Sequence, residues 1–113
     1  MHELALSQSI VEAVLQRARQ EGIHSVTRVV LALGTGAGVE REALSFCFDA
    51  VTRATAAEGA ELAIETVPLR GRCRACGLEF APDGLVAPCP QCGTYAPVFT
   101  AGRELRVKSF EGE

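Results

Sequence analysis

Two short segments carry the clearest chemistry in this sequence: Cys73-Arg-Ala-Cys76 and Cys89-Pro-Gln-Cys92. Two residues between cysteines let both sulfurs of one turn reach a single ion. Gly77 and Gly93 follow the pairs and permit the tight backbone that such knuckles need. Two knuckles supply four sulfurs, enough to close a tetrahedral zinc shell at roughly 2.3 Å per bond with no open position. A zinc ion held this way is structural, and a short ribbon around it depends on the metal to fold. Two disulfides or two redox pairs are the competing reading, and iron also accepts tetrahedral sulfur. A redox pair of the thioredoxin kind opens a helix after a strand. Pro88 and Pro90 flank Cys89 and Gly77 follows Cys76, so helices are not expected there.

The second candidate is the start of the chain, MHE. The amine of Met1, the amide nitrogen of His2 and its imidazole Nδ1 can close two fused chelate rings on one metal, with a neighbouring amide or side chain at the fourth corner. All-nitrogen, square-planar coordination suits Ni(II) and Cu(II). Such a site is exposed and weaker than a four-thiolate site, which suits handing metal over.

Other candidates read more plainly. Cys47 lies between Phe46 and Phe48 on an apolar stripe and is expected to act as a small hydrophobe. GTGAG, residues 34–38, departs from the dinucleotide fingerprint and lacks the Lys-Ser or Lys-Thr of a P-loop, so it reads as a flexible turn. Glu40 and Glu42 open a helix and favour its dipole as caps. His24 is a solitary loop histidine. No Ser–His–Asp or Cys–His arrangement argues for nucleophilic catalysis, and the chain is not read as an enzyme.

Elements to hold these groups follow from periodicity. Residues 3–21 carry Leu4, Val11, Leu15 and Ala18 at helical spacing, widened by Ile10 and Val14, and Gly22 stops the helix. SVTRVVLAL, residues 25–33, reads as a strand. Residues 40–57 return to helical spacing, with Leu44, Cys47 or Phe48, Val51 and Ala54 or Thr55 in line. ELAIETV, residues 61–67, alternates as a second strand. Residues 70–102 hold four of the five cysteines and four of the five prolines. GRELRVKSFE, residues 102–111, then restores a strand pattern with no evident partner inside the cysteine-rich stretch, so it is expected to return to the first sheet. The expected fold is α+β: two helices packed on a small mixed three-stranded sheet, with an inserted four-cysteine zinc-ribbon domain. Residues 1–69 plus 103–113 would form the first domain and 70–102 the ribbon.

Charge limits the partners. The 113-residue chain has a net charge of -3. Residues 1–69 carry five Arg and nine Asp or Glu (5 − 9 = −4), and residues 70–113 six Arg or Lys and five acids (6 − 5 = +1). Four thiolates on one dication take the second part down by two more, so nothing here is a basic footprint for nucleic acid. No apolar run approaches the roughly 18 residues of a membrane span. No secretory signal pattern is visible, so a cytoplasmic protein is expected, where clustered cysteines favour metal over disulfides.

MHE, EREALSFCFDAVTRAT at 40–55, the paired CxxC with CPQCG, and GRELRVKSFE near the end, in this order along the chain, resemble the HypA family of nickel-insertion proteins. The resemblance implies a metallochaperone that helps deliver nickel to [NiFe]-hydrogenase during maturation, and in some organisms to urease. It implies nickel bound at the N-terminus through His2, with the backbone around Met1 and Glu3 contributing. It implies structural zinc on Cys73, Cys76, Cys89 and Cys92, and partnership with a nickel-binding maturation GTPase, the hydrogenase large-subunit precursor and urease maturation proteins, but not with nucleic acid or membrane. The residues also allow a second reading, a zinc-ribbon adaptor that binds protein or nucleic acid and never carries nickel. Its best support is the basic cluster Arg70, Arg72 and Arg74. The acidic total and the single tyrosine, Tyr95, count against nucleic acid, where bases need stacking platforms.

Overall fold

The computed structural model of this chain describes residues 2–113; Met1 lies outside the described residues. Two compact units form. One contains the chain up to Leu31 with Val39–Glu65 and Arg106–Glu113, and the other contains Ala32–Gly38 with Thr66–Leu105.

Helix α1 spans Glu3–Gln20 and buries Ser7, Ile10, Val11, Val14 and Ala18. The buried stripe starts one turn later than the apolar spacing predicts: Leu4 is 53% exposed, and Ser7 is fully buried in its stead. Ser7 is tolerated inside because its hydroxyl donates to the Leu44 carbonyl at 3.3 Å, so no polar atom is stranded where α1 meets α2. Gly22 stops the helix as expected, with φ 71° and the Ile23 N–H donating back to Ala18 O at 2.8 Å.

Strand β1 (Val26–Gly34) is the centre of a three-stranded sheet ordered β2-β1-β6, with β2 at Glu61–Val67 and β6 at Leu105–Gly112. The last strand therefore returns across the cysteine-rich stretch to the first sheet. Ser25 and Glu113 exchange backbone hydrogen bonds at 2.8 and 3.0 Å, and Gly34 N–H reaches Glu104 O at 2.7 Å, so β6 runs antiparallel to β1. Arg28 bridges the three strands, 3.3 Å from Glu61 on β2 and 3.2 Å from Glu111 on β6.

Helix α2 spans Arg41–Thr52 and packs on α1. It is shorter than its periodicity predicts, which carries it to residue 57. The reason is side-chain competition for its last carbonyls. Thr52 Oγ1 donates to Phe48 O at 2.9 Å, Thr55 Oγ1 donates to Thr52 O at 2.6 Å, and Ala54 turns to φ 61°. Ala57 and Ala60 are still buried, Ala57 from a turn and Ala60 from the residue before β2. Phe48 takes the core position on α2; Cys47 is only half-buried and Phe46 is 76% exposed. The core joins Val11, Val14 and Ala18 of α1 to Val26, Val29 and Phe48.

In the second unit β3 (Arg70–Arg72) lies between β4 (Glu79–Phe80) and β5 (Val98–Ala101), antiparallel to both. Composition alone does not reveal these short strands. GTGAG forms the expected turn, with Gly34 ending β1 and the Ala37 N–H donating to Gly34 O at 3.1 Å. Gly36 N–H donates to Gly102 O at 2.7 Å, and a Cβ on Gly34 would stand 2.1 Å from that same oxygen. Gly34 is required for backbone-to-backbone contact, and Gly38 for its left-handed φ of 73°.

Candidate metal centres

Each knuckle is built the same way. Cys73 N–H donates to Leu78 O and Gly77 N–H to Cys73 O, at 2.9 and 3.2 Å. In the second knuckle Cys89 N–H donates to Thr94 O and Gly93 N–H to Cys89 O, both at 2.9 Å. Gly77 and Gly93 adopt φ 78° and 79°, so the turn closes without Cβ strain. The closed turn aims backbone donors at sulfur. The N–H groups of Ala75 and Cys76 point to Cys73 Sγ, and that of Gln91 to Cys89 Sγ, each at 3.4 Å.

The two knuckles bring all four sulfurs within 4.8 Å of one another. Cys73 Sγ is 3.4 Å from Cys92 Sγ, and Cys76 Sγ is 3.7 Å from Cys89 Sγ. A tetrahedron of bonds near 2.3 Å has edges of about 3.8 Å, so the cage matches a zinc-sized tetrahedral ion. No sulfur pair is at disulfide distance, and all five cysteines are free thiols. Cys73 and Cys89 are buried, whereas Cys76 and Cys92 face solvent.

The electrostatics favour thiolates on the buried pair. The Cys76 N–H chiefly lowers the Cys73 thiol to about 6. Burial opposes ionisation of Cys89, but the N–H groups of Cys92 and Gln91 carry it below the ordinary thiol value. Cys76 feels a favourable Leu78 N–H, yet burial and the neighbouring sulfurs push it up to about 11. Three sulfurs crowding a fourth is the charge problem that a bound dication solves.

At the other candidate site His2 is the N-cap of α1 and is exposed. Its carbonyl accepts from Leu6 N–H at 3.0 Å, and among the described residues its imidazole has no hydrogen-bond partner. Glu3 is the first helical residue and is half-buried. Its carboxylate accepts from the Glu40 N–H at 3.1 Å, and Glu40 in turn accepts from Glu42 and Ala43 N–H at 3.3 and 2.8 Å to cap α2. That Glu40 N–H bond chiefly holds the Glu3 carboxyl below its ordinary value. Met1, expected to supply the terminal amine, is outside the described residues.

Sequence reading missed several supporting groups. Arg74, inside the first knuckle, donates from Nε to Ala96 O beyond the second. Thr94 Oγ1 lies 3.3 Å from Cys92 Sγ. The link from Glu3 to Glu40 spans 37 residues and has no local signature. Arg74 stands out in the sequence only by its charge and Thr94 only by lying two places after Cys92.

Fold and site define a small α+β protein with a four-cysteine ribbon, able to hold a metal ion, inserted before its last strand. A family model described as hydrogenase/urease nickel incorporation, metallochaperone, HypA, matches residues 1–112. The hydrogenase maturation factor HypA of Chlorobaculum tepidum is 50% identical over 110 residues, spanning 97% of each chain. That of Geobacter metallireducens is 47% identical over 113 residues and the full length of both. The solution structure of the Ni metallochaperone HypA from Helicobacter pylori covers 99% of this chain and 97% of its own with a TM-score of 0.71. At 23% identity it shows the shared fold. The chain belongs to the HypA family of hydrogenase/urease nickel-incorporation metallochaperones. No helix among the described residues is long and apolar enough to cross a membrane.

Proposed function

We propose that this chain captures Ni(II) at its N-terminus through His2, with Met1 and the backbone at Glu3 completing the set, and passes it on to immature [NiFe]-hydrogenase. The observation that carries the reading is an exposed imidazole, without a hydrogen-bond partner among the described residues, at the start of a well-anchored helix. The first N–H groups of a helix have no intrahelical acceptor, so they are free to deprotonate onto a metal. Nitrogen donors in a plane match the preference of Ni(II). Residues 1–69 with 103–113 serve as the nickel domain in this reading, and 70–102 as the zinc ribbon.

Delivery then follows as capture by Met1, His2 and Glu3, docking on a nickel-binding maturation GTPase or the hydrogenase large-subunit precursor, and ligand exchange to the recipient. Urease maturation proteins are the corresponding partners where urease is the client. Structural zinc on Cys73, Cys76, Cys89 and Cys92 supplies the cross-link that holds the ribbon. The chain itself performs no bond-making chemistry on an organic substrate. The cytoplasm is the working compartment, since free thiols persist there.

The test is a calorimetric titration of Ni(II) into the zinc-loaded, untagged chain beside a copy with two residues added before Met1. The extension moves the amine away from His2 and leaves every side chain in place. One nickel bound only by the untagged chain is expected. Equal binding by both sinks the chelate.

A further inference from the structure

The second unit carries four arginines, Arg70, Arg72, Arg74 and Arg103, and none forms an ion pair among the described residues. Two of the four unpaired arginines converge on one groove. It has a volume of about 520 Å³ and runs along β5, lined by consecutive residues from Ala96 to Ala101 together with Leu85, Arg74, Arg103 and Glu104, so two cations face one carboxylate, which already accepts from the Gly102 N–H.

Three properties of this groove point the same way. β5 is an edge strand: it pairs with β3 on one side, and none of the described backbone groups pairs with its other side. An open edge offers a row of donors and acceptors at strand spacing. The side chains beside it are apolar and partly open, with Leu85 46% and Val98 44% exposed. The charges are held in place. Arg103 stacks over the Phe99 ring, 5.4 Å from its centre, and Arg74 is anchored by its bond to Ala96 O, so each presents its remaining N–H groups from a fixed position.

We infer that this groove binds an extended acidic segment of a partner protein, added as a fourth strand on β5 with its carboxylates on Arg74 and Arg103. Main-chain bonds to an edge give such a complex its affinity, and alternate side chains give it specificity. Apolar residues of the segment fill the Leu85 and Val98 side while acidic residues meet the arginines. A nucleic acid fits less well. It cannot pair with a strand edge through main-chain hydrogen bonds. This surface uses none of the nickel residues and stands whether or not His2 carries nickel.

The probe is an eight-residue peptide alternating glutamate and valine, titrated into the zinc-loaded, nickel-free, isotope-labelled full chain and followed by NMR. Saturable amide shifts concentrated at Val98–Ala101 are expected. Arg103→Ala should weaken the midpoint about fivefold, as losing one partly exposed ion pair does. A peptide N-methylated at alternate residues should lose binding, because it cannot donate along the edge. Arg103 touches no sulfur ligand, and retained zinc in the variant verifies its fold. Shifts centred elsewhere, or binding indifferent both to N-methylation and to Arg103→Ala, would overturn the inference. So would a single-stranded oligonucleotide that displaces the peptide at equal concentration, or edge shifts that track protein concentration without peptide, which would make the occupant a second copy of the chain.

Discussion

The Glu3 carboxylate is tied to the backbone N–H of Glu40 at 3.1 Å, so the first residue of α1 is pinned to the N-cap of α2. The residue beside the proposed nickel ligand is therefore held by a long-range bond. Its pH dependence has a definite sign. The Glu40 N–H lowers the Glu3 carboxyl from 4.5, so the bond is fully formed above that value and is lost as pH falls through the lower folded value. The Glu40 amide resonance should titrate with a midpoint below 4.5. Glu3→Ala should remove that titration and speed hydrogen exchange at Glu40; an unchanged profile would show that the bond does not form in solution.

His2→Ala is expected to lose stoichiometric nickel binding while zinc content and circular dichroism stay the same. The imidazole makes no capping hydrogen bond and is exposed, so its removal has no structural cost to report. Unchanged nickel affinity would place the cargo elsewhere.

Zinc retention should fall with acid. Cys73 is depressed to about 6 from 9.0 by the N–H of Cys76, so the stability its thiolate contributes is fully present above 9 and is lost as pH drops through 6. A bound dication holds the thiolates to lower pH still, so release followed with a chromophoric chelator should have its midpoint below 6. Release that is complete at pH 7 contradicts the site. Cys73→Ala should leave a chain without stoichiometric zinc by atomic absorption.

Two phenylalanines on α2 should differ sharply. Phe48 is 1% exposed and Phe46 is 76% exposed. Phe48→Ala should cost about 3–5 kcal/mol in urea unfolding of the zinc-loaded chain, and Phe46→Ala should stay within about 0.5 kcal/mol. Similar losses would mean that α2 is rotated about its axis.

Gly34 and Gly22 make a second contrast. A Cβ at Gly34 meets backbone of Gly102 at 2.1 Å, whereas one at Gly22 meets nothing within 4 Å. Gly22→Ala carries only the left-handed backbone penalty, about 1–2 kcal/mol. Gly34→Ala must push two backbone segments apart and should be the more damaging in thermal unfolding.

Sequence alone determined the four-cysteine cluster and the order of α1, β1, α2, β2 and the last strand, but not the short strands β3, β4 and β5 between them. CxxC spacing confines both sulfurs of a knuckle to one turn, which is a local property, and the structure assembles the four cysteines that the spacing singled out. Helical and alternating periods located α1, β1, α2 and β2, because each period reflects burial of one face. The return of the last strand to the first sheet was also legible, since its pattern had no partner nearby. Tertiary structure decided what depends on residues distant in the chain. Leu4 has the right spacing for the stripe but no neighbour to cover it, while Ser7 is buried because Leu44 O receives its hydroxyl. The end of α2 was set by Thr52 and Thr55 capturing carbonyls that periodicity cannot see. GTGAG has the composition of a loose turn, but Gly102 lies against it; Glu3 has the position of an ordinary first-turn acid, but Glu40 lies beside it. Composition marks which groups can do chemistry; long-range hydrogen bonds and steric contacts, invisible in any local window, decide where those groups are held.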